Sequence, residues 1–244
     1  CLKIADENKD KIVVFFAIGF ETTTPMTCAL MEQVIKSDIK NILFSINHIT
    51  VPEVMRVLVE DKNCKIDAFL GPSHVSVISG SKIYEEFPKN YNKPVVVSGF
   101  EPVDVMQSIS MIVKQFKEKR ANLEIEYKRV VSYEGNLKAQ ELINKYFKKV
   151  PFKFRGIGEV ENSGYELKDE FDKYNAKIVY KDILPTQEVK ENKACKCPEI
   201  LKGVAKPTDC KIFGTVCTPT NPIGSCMVSS EGACSAYYKY GNLL

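Results

Sequence analysis

The run Ile12-Val13-Val14-Phe15-Phe16-Ala17-Ile18-Gly19-Phe20-Glu21-Thr22-Thr23-Thr24-Pro25 reads as strand, turn and helix in succession. Residues 12–18 are apolar or β-branched without a polar interruption, too few for a buried helix and closed by a glycine. That pattern predicts a strand covered on both faces, as in a parallel sheet. After the turn, Thr24 offers an N-cap oxygen, and Pro25 fits the first helical turn, where its missing N–H leaves no bond unmade. Met26, Ala29, Leu30 and Val34 would then form the inward stripe of the helix.

The same succession recurs along the chain. Residues 41–46 predict a second strand ending at Asn47-His48, and Pro52 opens a helix with Met55, Leu58 and Val59 apolar. Residues 66–70 predict a third, ending at Gly71-Pro72-Ser73-His74, with a helix or turn through Ile78 and Ile83. Residues 94–97 predict a fourth, ending at Ser98-Gly99-Phe100-Glu101-Pro102, with Met106, Ile109, Val113 and Phe116 on one face of the helix that follows. Strands alternating with helices make a doubly wound α/β fold with right-handed crossovers. In such sheets the reactive crevice lies beyond the carboxyl ends of the strands. Four successive strand ends carry Glu21, His48, His74 and Glu101, which makes them candidate site residues. Each also has a structural reading, the carboxylates on loop amides or helix N-termini and the imidazoles as bonded core groups. Gly19-Phe20-Glu21 and Gly99-Phe100-Glu101 also echo each other, as two related lobes would.

Farther on, residues 123–131 predict a strand, and residues 136–147 a helix with Ala139, Leu142, Ile143 and Tyr146 inward. Phe154-Arg155-Gly156-Ile157-Gly158-Glu159 reads as a glycine-hinged loop. Ser163-Gly164-Tyr165-Glu166 matches a capping box, predicting a helix through Leu167 and Phe171. The charged residues 181–193 read as a linker, dividing an α/β part (1–180) from a cysteine-rich part (181–244).

That last part holds six of the nine cysteines: Cys195, Cys197, Cys210, Cys217, Cys226 and Cys234. Turn formers dominate between them, so burial alone cannot hold the segment together. No C-x(2–4)-C knuckle and no histidine is present there, which departs from the usual structural zinc pattern. Scattered thiolates suit an iron–sulfur cluster, with two cysteines left for a disulfide or redox dithiol. A disulfide framework and a zinc staple remain alternatives on spacing alone. Glu231, three residues before Cys234, would steer protons or cap a turn. Cys28 and Cys64 read as core cysteines. No dinucleotide fingerprint or P-loop occurs, Gly156-Ile157-Gly158 being only a fragment of one.

The chain has 244 residues, 44% hydrophobic and 27% charged, with net charge +3 from 34 basic and 31 acidic side chains. That near balance calls for neither nucleic acid nor a membrane surface. The longest apolar runs fall far short of the roughly 18–20 residues that span a bilayer. Without a secretory signal, nine cysteines read as cytoplasmic metal or redox chemistry. Because the chain opens on Cys1 and reaches a core strand by Ile12, an amino-terminal part is expected upstream.

Seven stretches resemble the HypD family of nickel–iron hydrogenase maturation proteins. They are G-F-E-T-T-T-P (19–25), N-H-I-T-V-P (47–52), G-P-S-H-V-S-V-I (71–78), V-S-G-F-E-P-V-D (97–104), R-G-I-G-E-V-x-N-S-G-Y-x-L (155–167), P-T-D-C-K-x-F-G-x-V-C-T-P (207–219) and N-P-I-G-S-C-M-V-S-S-E-G-A-C (221–234). The resemblance implies two parallel-sheet domains facing a cleft, the first incomplete here, followed by a small irregular iron–sulfur domain. It implies a 4Fe–4S cluster on Cys195, Cys210, Cys217 and Cys234, with Cys197 and Cys226 as a redox disulfide pair. His74 and Glu231 become candidates for the cleft and a proton or electron route. The implied role is a scaffold, with the partner HypC, for assembling an Fe(CN)2(CO) unit that receives cyanide from HypE. The family's upstream cysteine element, G-P-G-C-P-V-C, does not occur in these residues, so the assembly site is expected to be half built. An iron–sulfur oxidoreductase acting on a small molecule and a zinc-stapled binding module are the alternative classes.

Overall fold

The computed structural model describes residues 1–184 and 192–241. From the amino terminus, α1 (Leu2–Glu7) leads to β1 (Val13–Gly19), α2 (Thr24–Lys36), β2 (Ile42–His48), α3 (Val51–Glu60) and β3 (Phe69–Pro72). Then come α4 (Ser73–Ser79), α5 (Glu86–Tyr91), β4 (Val95–Ser98), α6 (Pro102–Lys117), β5 (Leu123–Ile125) and α7 (Leu137–Tyr146). Strands β6 (Phe147–Phe154) and β7 (Gly158–Leu167) precede four short helices: α8 (Ala176–Val179), α9 (Cys197–Leu201), α10 (Ser225–Val228) and α11 (Ala233–Tyr240).

Strands β1 and β2 pair in parallel, with Phe15 opposite Phe44 and Gly19 opposite His48. Strands β3, β4 and β5 form a second parallel sheet in that order, and β6 pairs with β7 across the turn at residues 155–157. The fold is therefore α/β with parallel sheets. The chain separates into two compact units: one holds Cys1–Glu53, Asp67–Pro151 and the stretch that starts at Glu161, the other Val54–Ile66, Phe152–Val160 and the cysteine-rich tail.

The core of the first unit is built on β2. Ile42, Phe44, Ile46 and His48 alternate onto one face and are each at most 2% exposed, as period-2 geometry requires of a buried face. Against them pack Ala17 of β1 and Cys28, Met31 and Val34 of α2, with Ile143, Tyr146 and Phe147. Helix α7 follows its expected stripe and is capped by the Asn136 side chain, which accepts from the Ala139 N–H at 3.0 Å.

Several expectations need correction. Strand β1 is covered on one face only, because Val14, Phe16 and Ile18 remain 45–64% exposed. The inward stripe of α2 is Thr24, Thr27, Cys28, Met31 and Val34, while Met26 and Ala29 point outward. Its threonines can be buried because both hydroxyls are bonded, Thr24 to the Phe20 carbonyl at 2.9 Å and Thr27 to His48 at 2.8 Å. On α6 too the inner face is polar: Asp104, Ser108 and Gln115 are buried and Met106, Ile109, Val113 and Phe116 are exposed, although the Ser108 hydroxyl and the Gln115 Nε2 have no partner among the described residues. Gln115 accepts the Asn122 N–H and Asp104 binds Arg129, so polar groups occupy the inner face. Strand β3 begins at Phe69 rather than residue 66, and only residues 123–125 of the expected 123–131 form a strand. The segment expected as a capped helix from Ser163 is the second half of β7. There Ser163 is fully buried and its carbonyl accepts the Thr50 N–H at 2.8 Å, so edge pairing overrides the capping signature. Much of the expected linker, residues 185–191, lies outside the described residues. No helix among the described residues is long and apolar enough to cross a membrane.

Candidate functional site

Too little apolar surface lies between the tail cysteines for an ordinary core, so the thiols themselves form one. Cys197, Cys210, Cys217, Cys226 and Cys234 are buried with Ile200 and Met227, and Cys195 packs against them. Short elements deliver them: Cys197 opens α9, Cys226 sits in α10 and Cys234 in α11, each a helix too brief to be stable alone. Cys197 and Cys226 meet directly, with the Cys226 N–H donating to the Cys197 sulfur at 3.4 Å and its thiol facing the Cys197 carbonyl at 4.0 Å. The Ile223 N–H donates to the Cys217 sulfur at 3.4 Å, and the Cys210 thiol reaches the Ala194 carbonyl at 3.6 Å.

These contacts divide the thiols electrostatically. Hydrogen bonding from the Cys226 thiol, with further donors at its own amide, Cys195 and Ser225, pulls Cys197 down to about 5. Donation to Cys197, then burial, pushes Cys226 strongly up. Burial first, and the charge of neighbouring sulfurs next, raises Cys234 to about 12. The contact thus favours the thiolate at Cys197 and the thiol at Cys226. All nine cysteines are free thiols. Among the described residues, no group of three or more His, Cys, Asp or Glu side chains is arranged around a single metal ion. The donor set itself, six soft sulfurs in an apolar lining without a competing histidine, fits an iron–sulfur group. Glu231 lies on an exposed turn before α11, its N–H donating to the Ser229 hydroxyl at 3.2 Å.

In the first unit the four strand-end residues fall on two sheets. At the β1–β2 edge, Glu21 and His48 are 4% and 1% exposed. His48 continues the β2 core stripe, with its Nε2 at 2.8 Å from the Thr27 hydroxyl and its Nδ1 without a partner among the described residues. Burial holds its pKa below the usual imidazole value. Glu21 accepts the Val51 N–H at 2.9 Å through Oε1, while its buried Oε2 has no partner among the described residues. Burial drives the Glu21 pKa up to about 7. Nearby Glu53 behaves oppositely. Burial works to raise it, yet Lys149 and the Thr50 hydroxyl, donating at 2.5 Å, hold it below the usual carboxylate value. Two buried carboxyls with diverging acidities mark a position where proton chemistry is available.

At the second sheet, His74 follows β3 and its ring lies against Phe100, which follows β4, at 5.0 Å between centroids. Its Nδ1 is buried without a partner among the described residues. Glu101 is largely exposed, 3.5 Å from Arg129, whose guanidinium binds the buried Asp104 carboxylate at 2.8 and 2.9 Å and lies over Tyr127 at 4.6 Å. Sequence reasoning passed over Glu53, Lys149, Asp104 and Arg129. For Glu53 a signal existed, since Thr50-Val51-Pro52-Glu53 has the spacing of a capping box at the start of α3. Arg129 lay inside a stretch expected to be a strand, so its turn position was hidden.

A family model described as "HypD: Hydrogenase formation hypA family" matches residues 1–241. Among curated proteins, the chain is 46% identical over 247 residues to hydrogenase maturation factor HypD2 of Bradyrhizobium diazoefficiens, covering 98% of this chain and 64% of that protein. It is 45% identical to HypD of Cupriavidus necator, over 98% of this chain and 65% of the other. With HypD of Azotobacter vinelandii the identity is 44%, over 98% and 64%. The chain thus spans just under two thirds of the length of these relatives. A match running from the first strand through the last cysteine joins both thiol core and strand-end groups to one family: the chain belongs to the HypD hydrogenase-formation family.

Proposed function

We propose that this chain serves the maturation of nickel–iron hydrogenases as a cytoplasmic scaffold that works with HypC and HypE. The observation that carries this reading is the core of buried thiols in a chain matched by the HypD model along residues 1–241. On this reading two parallel-sheet lobes face a cleft, and Cys195, Cys210, Cys217 and Cys234 hold a 4Fe–4S cluster. When bound, the cluster supplies one-electron redox capacity. Cys197 and Cys226, already in contact, act as a thiolate–thiol pair that supplies two electrons to cyanide transfer and releases one proton on closing to a disulfide. The Cys197 thiolate is the nucleophilic member, and Cys226 carries the proton. The iron unit with its cyanide and carbonyl ligands is the cargo. His74 and Glu231 are its candidate proton-route residues, and Glu21, His48 and Glu101 the cleft-lining ones.

Anaerobic iron and sulfide analysis of the purified chain tests this reading, with HypC co-purification as a second arm. About four irons and four sulfides per chain are expected, and Cys210→Ala should lose most of them. Zinc in place of iron, or iron content indifferent to Cys210→Ala, would remove the cluster.

A further inference from the structure

The pair Cys195 and Cys197, separated by one residue, lies against two segments distant in sequence. A methyl group built on Gly224 would come within 2.4 Å of the Cys195 sulfur and equally of the Cys197 sulfur. Both sulfurs therefore crowd the volume that glycine alone leaves open, and any side chain there would displace at least one of them. The turn that carries Gly224 is in turn gripped by the loop between β6 and β7. The Arg155 guanidinium donates to the Ile223 carbonyl at 2.9 Å, and the Ser225 hydroxyl lies 3.5 Å from the Arg155 carbonyl. The next residue, Gly156, has φ +82, and a Cβ there would press on Pro198 at 3.1 Å and lie 3.9 Å from the Cys197 Cβ. The segment from Cys195 to Pro198 is thus bounded by Gly156 on one side and Gly224 on the other.

We propose that Arg155 and Gly224 are positioning residues for the Cys195–Cys197 thiol pair, Arg155 fixing the turn and Gly224 leaving room for both sulfurs. Arg155 does so through an N–H bond to the Ile223 main-chain carbonyl. The purpose assigned to the pair rests on the cluster-and-dithiol reading; the geometry does not. It also accounts for two motifs that spacing alone left unused, R-G-I-G at residues 155–158 and N-P-I-G-S-C at 221–226. The two close around one pair of sulfurs.

The test uses the whole chain with Arg155→Ala, Arg155→Lys and Gly224→Ala. Iodoacetamide alkylation of each cysteine in the metal-free chain is followed by mass spectrometry. Iron uptake is followed during anaerobic reconstitution with ferrous iron and sulfide. Arg155 is exposed, so Arg155→Ala should keep the unfolding midpoint of the parent chain. It should alkylate Cys195 and Cys197 about fivefold faster and weaken iron uptake about tenfold. Arg155→Lys, which can still donate one bond to the Ile223 carbonyl, should recover much of both. Gly224→Ala should show the larger loss of iron. If the parent chain takes up no iron but Arg155→Ala still raises alkylation at those two thiols, the cluster reading fails and the positioning role stands. Parent-like alkylation and iron uptake in Arg155→Ala would overturn the positioning role.

Discussion

Phe44→Ala is expected to cost about 4 kcal/mol of folding stability, the usual loss for truncating a fully buried phenylalanine. Phe44 is 0% exposed, at the middle of the β2 face that carries the core of the first unit. Its ring meets Phe15 of the neighbouring strand edge-on at 6.0 Å, and its backbone bridges to Asn175 on the far side of β2. Since a domain of this kind commands only about 5–15 kcal/mol in total, one substitution should remove a large share of it. Phe44→Leu, which keeps most of the volume, should cost less than about 2 kcal/mol. Urea denaturation of the two variants gives the comparison. Similar losses in both would mean that the site repacks and that β2 is not the keystone of this unit.

How legible this arrangement was depends on which force sets each element. The succession from β1 to β2 could be read because apolar runs closed by Gly19 and reopened by Pro25 leave few alternatives at that length. The cysteine core could be read because the tail has nothing else to hold it together. Helix α6 was misjudged for a specific reason. Its apolar residues at 106, 109, 113 and 116 make a cleaner stripe than the inner face, which is Asp104, Ser108 and Gln115. Periodicity ranks faces by hydrophobicity and cannot see that Arg129, from beyond β5, binds Asp104 or that the Asn122 N–H bonds the Gln115 side-chain oxygen. The alternation of Val150, Phe152 and Phe154 with Pro151, Lys153 and Arg155 was a strand signal, masked by the glycine-rich turn after it. The strand ends were correctly located, but the tendency of Glu21 and Glu53 to separate in acidity depends on contacts with Val51, Thr50 and Lys149. Contacts of that kind are made by the fold and are not written in spacing.

Glu21→Gln tests that separation directly and should change the pH dependence of stability. The folded Glu21 carboxyl titrates at about 7 because burial disfavours its charge, whereas an unfolded chain would titrate it near its ordinary 4.5. Between those values the folded chain keeps a proton that the unfolded chain has lost. Stability is therefore fully present at and below the lower value, falls as pH rises through the window, and levels off above about 7. The whole change amounts to about 3 kcal/mol. Glutamine resembles the protonated acid: its oxygen can still accept the Val51 N–H, and its amide nitrogen takes the place of the protonated Oε2. The variant should match the parent near pH 4.5 and exceed it by about 3 kcal/mol at pH 8. His48, Glu53, Lys149, Tyr84 and Tyr165 titrate or carry charge in the same environment, but they are present in both proteins and cancel in the difference. Denaturation at several pH values gives the result, and parallel curves for parent and variant would show that Glu21 titrates alike in the folded and unfolded chain. The predicted divergence would instead identify Glu21 as a carboxyl that keeps a substantial protonated fraction near neutral pH, with its Oε2 unpartnered among the described residues. A buried acid in that state, at the end of a parallel strand, can give a proton to a bound group where an ionised glutamate could only accept one.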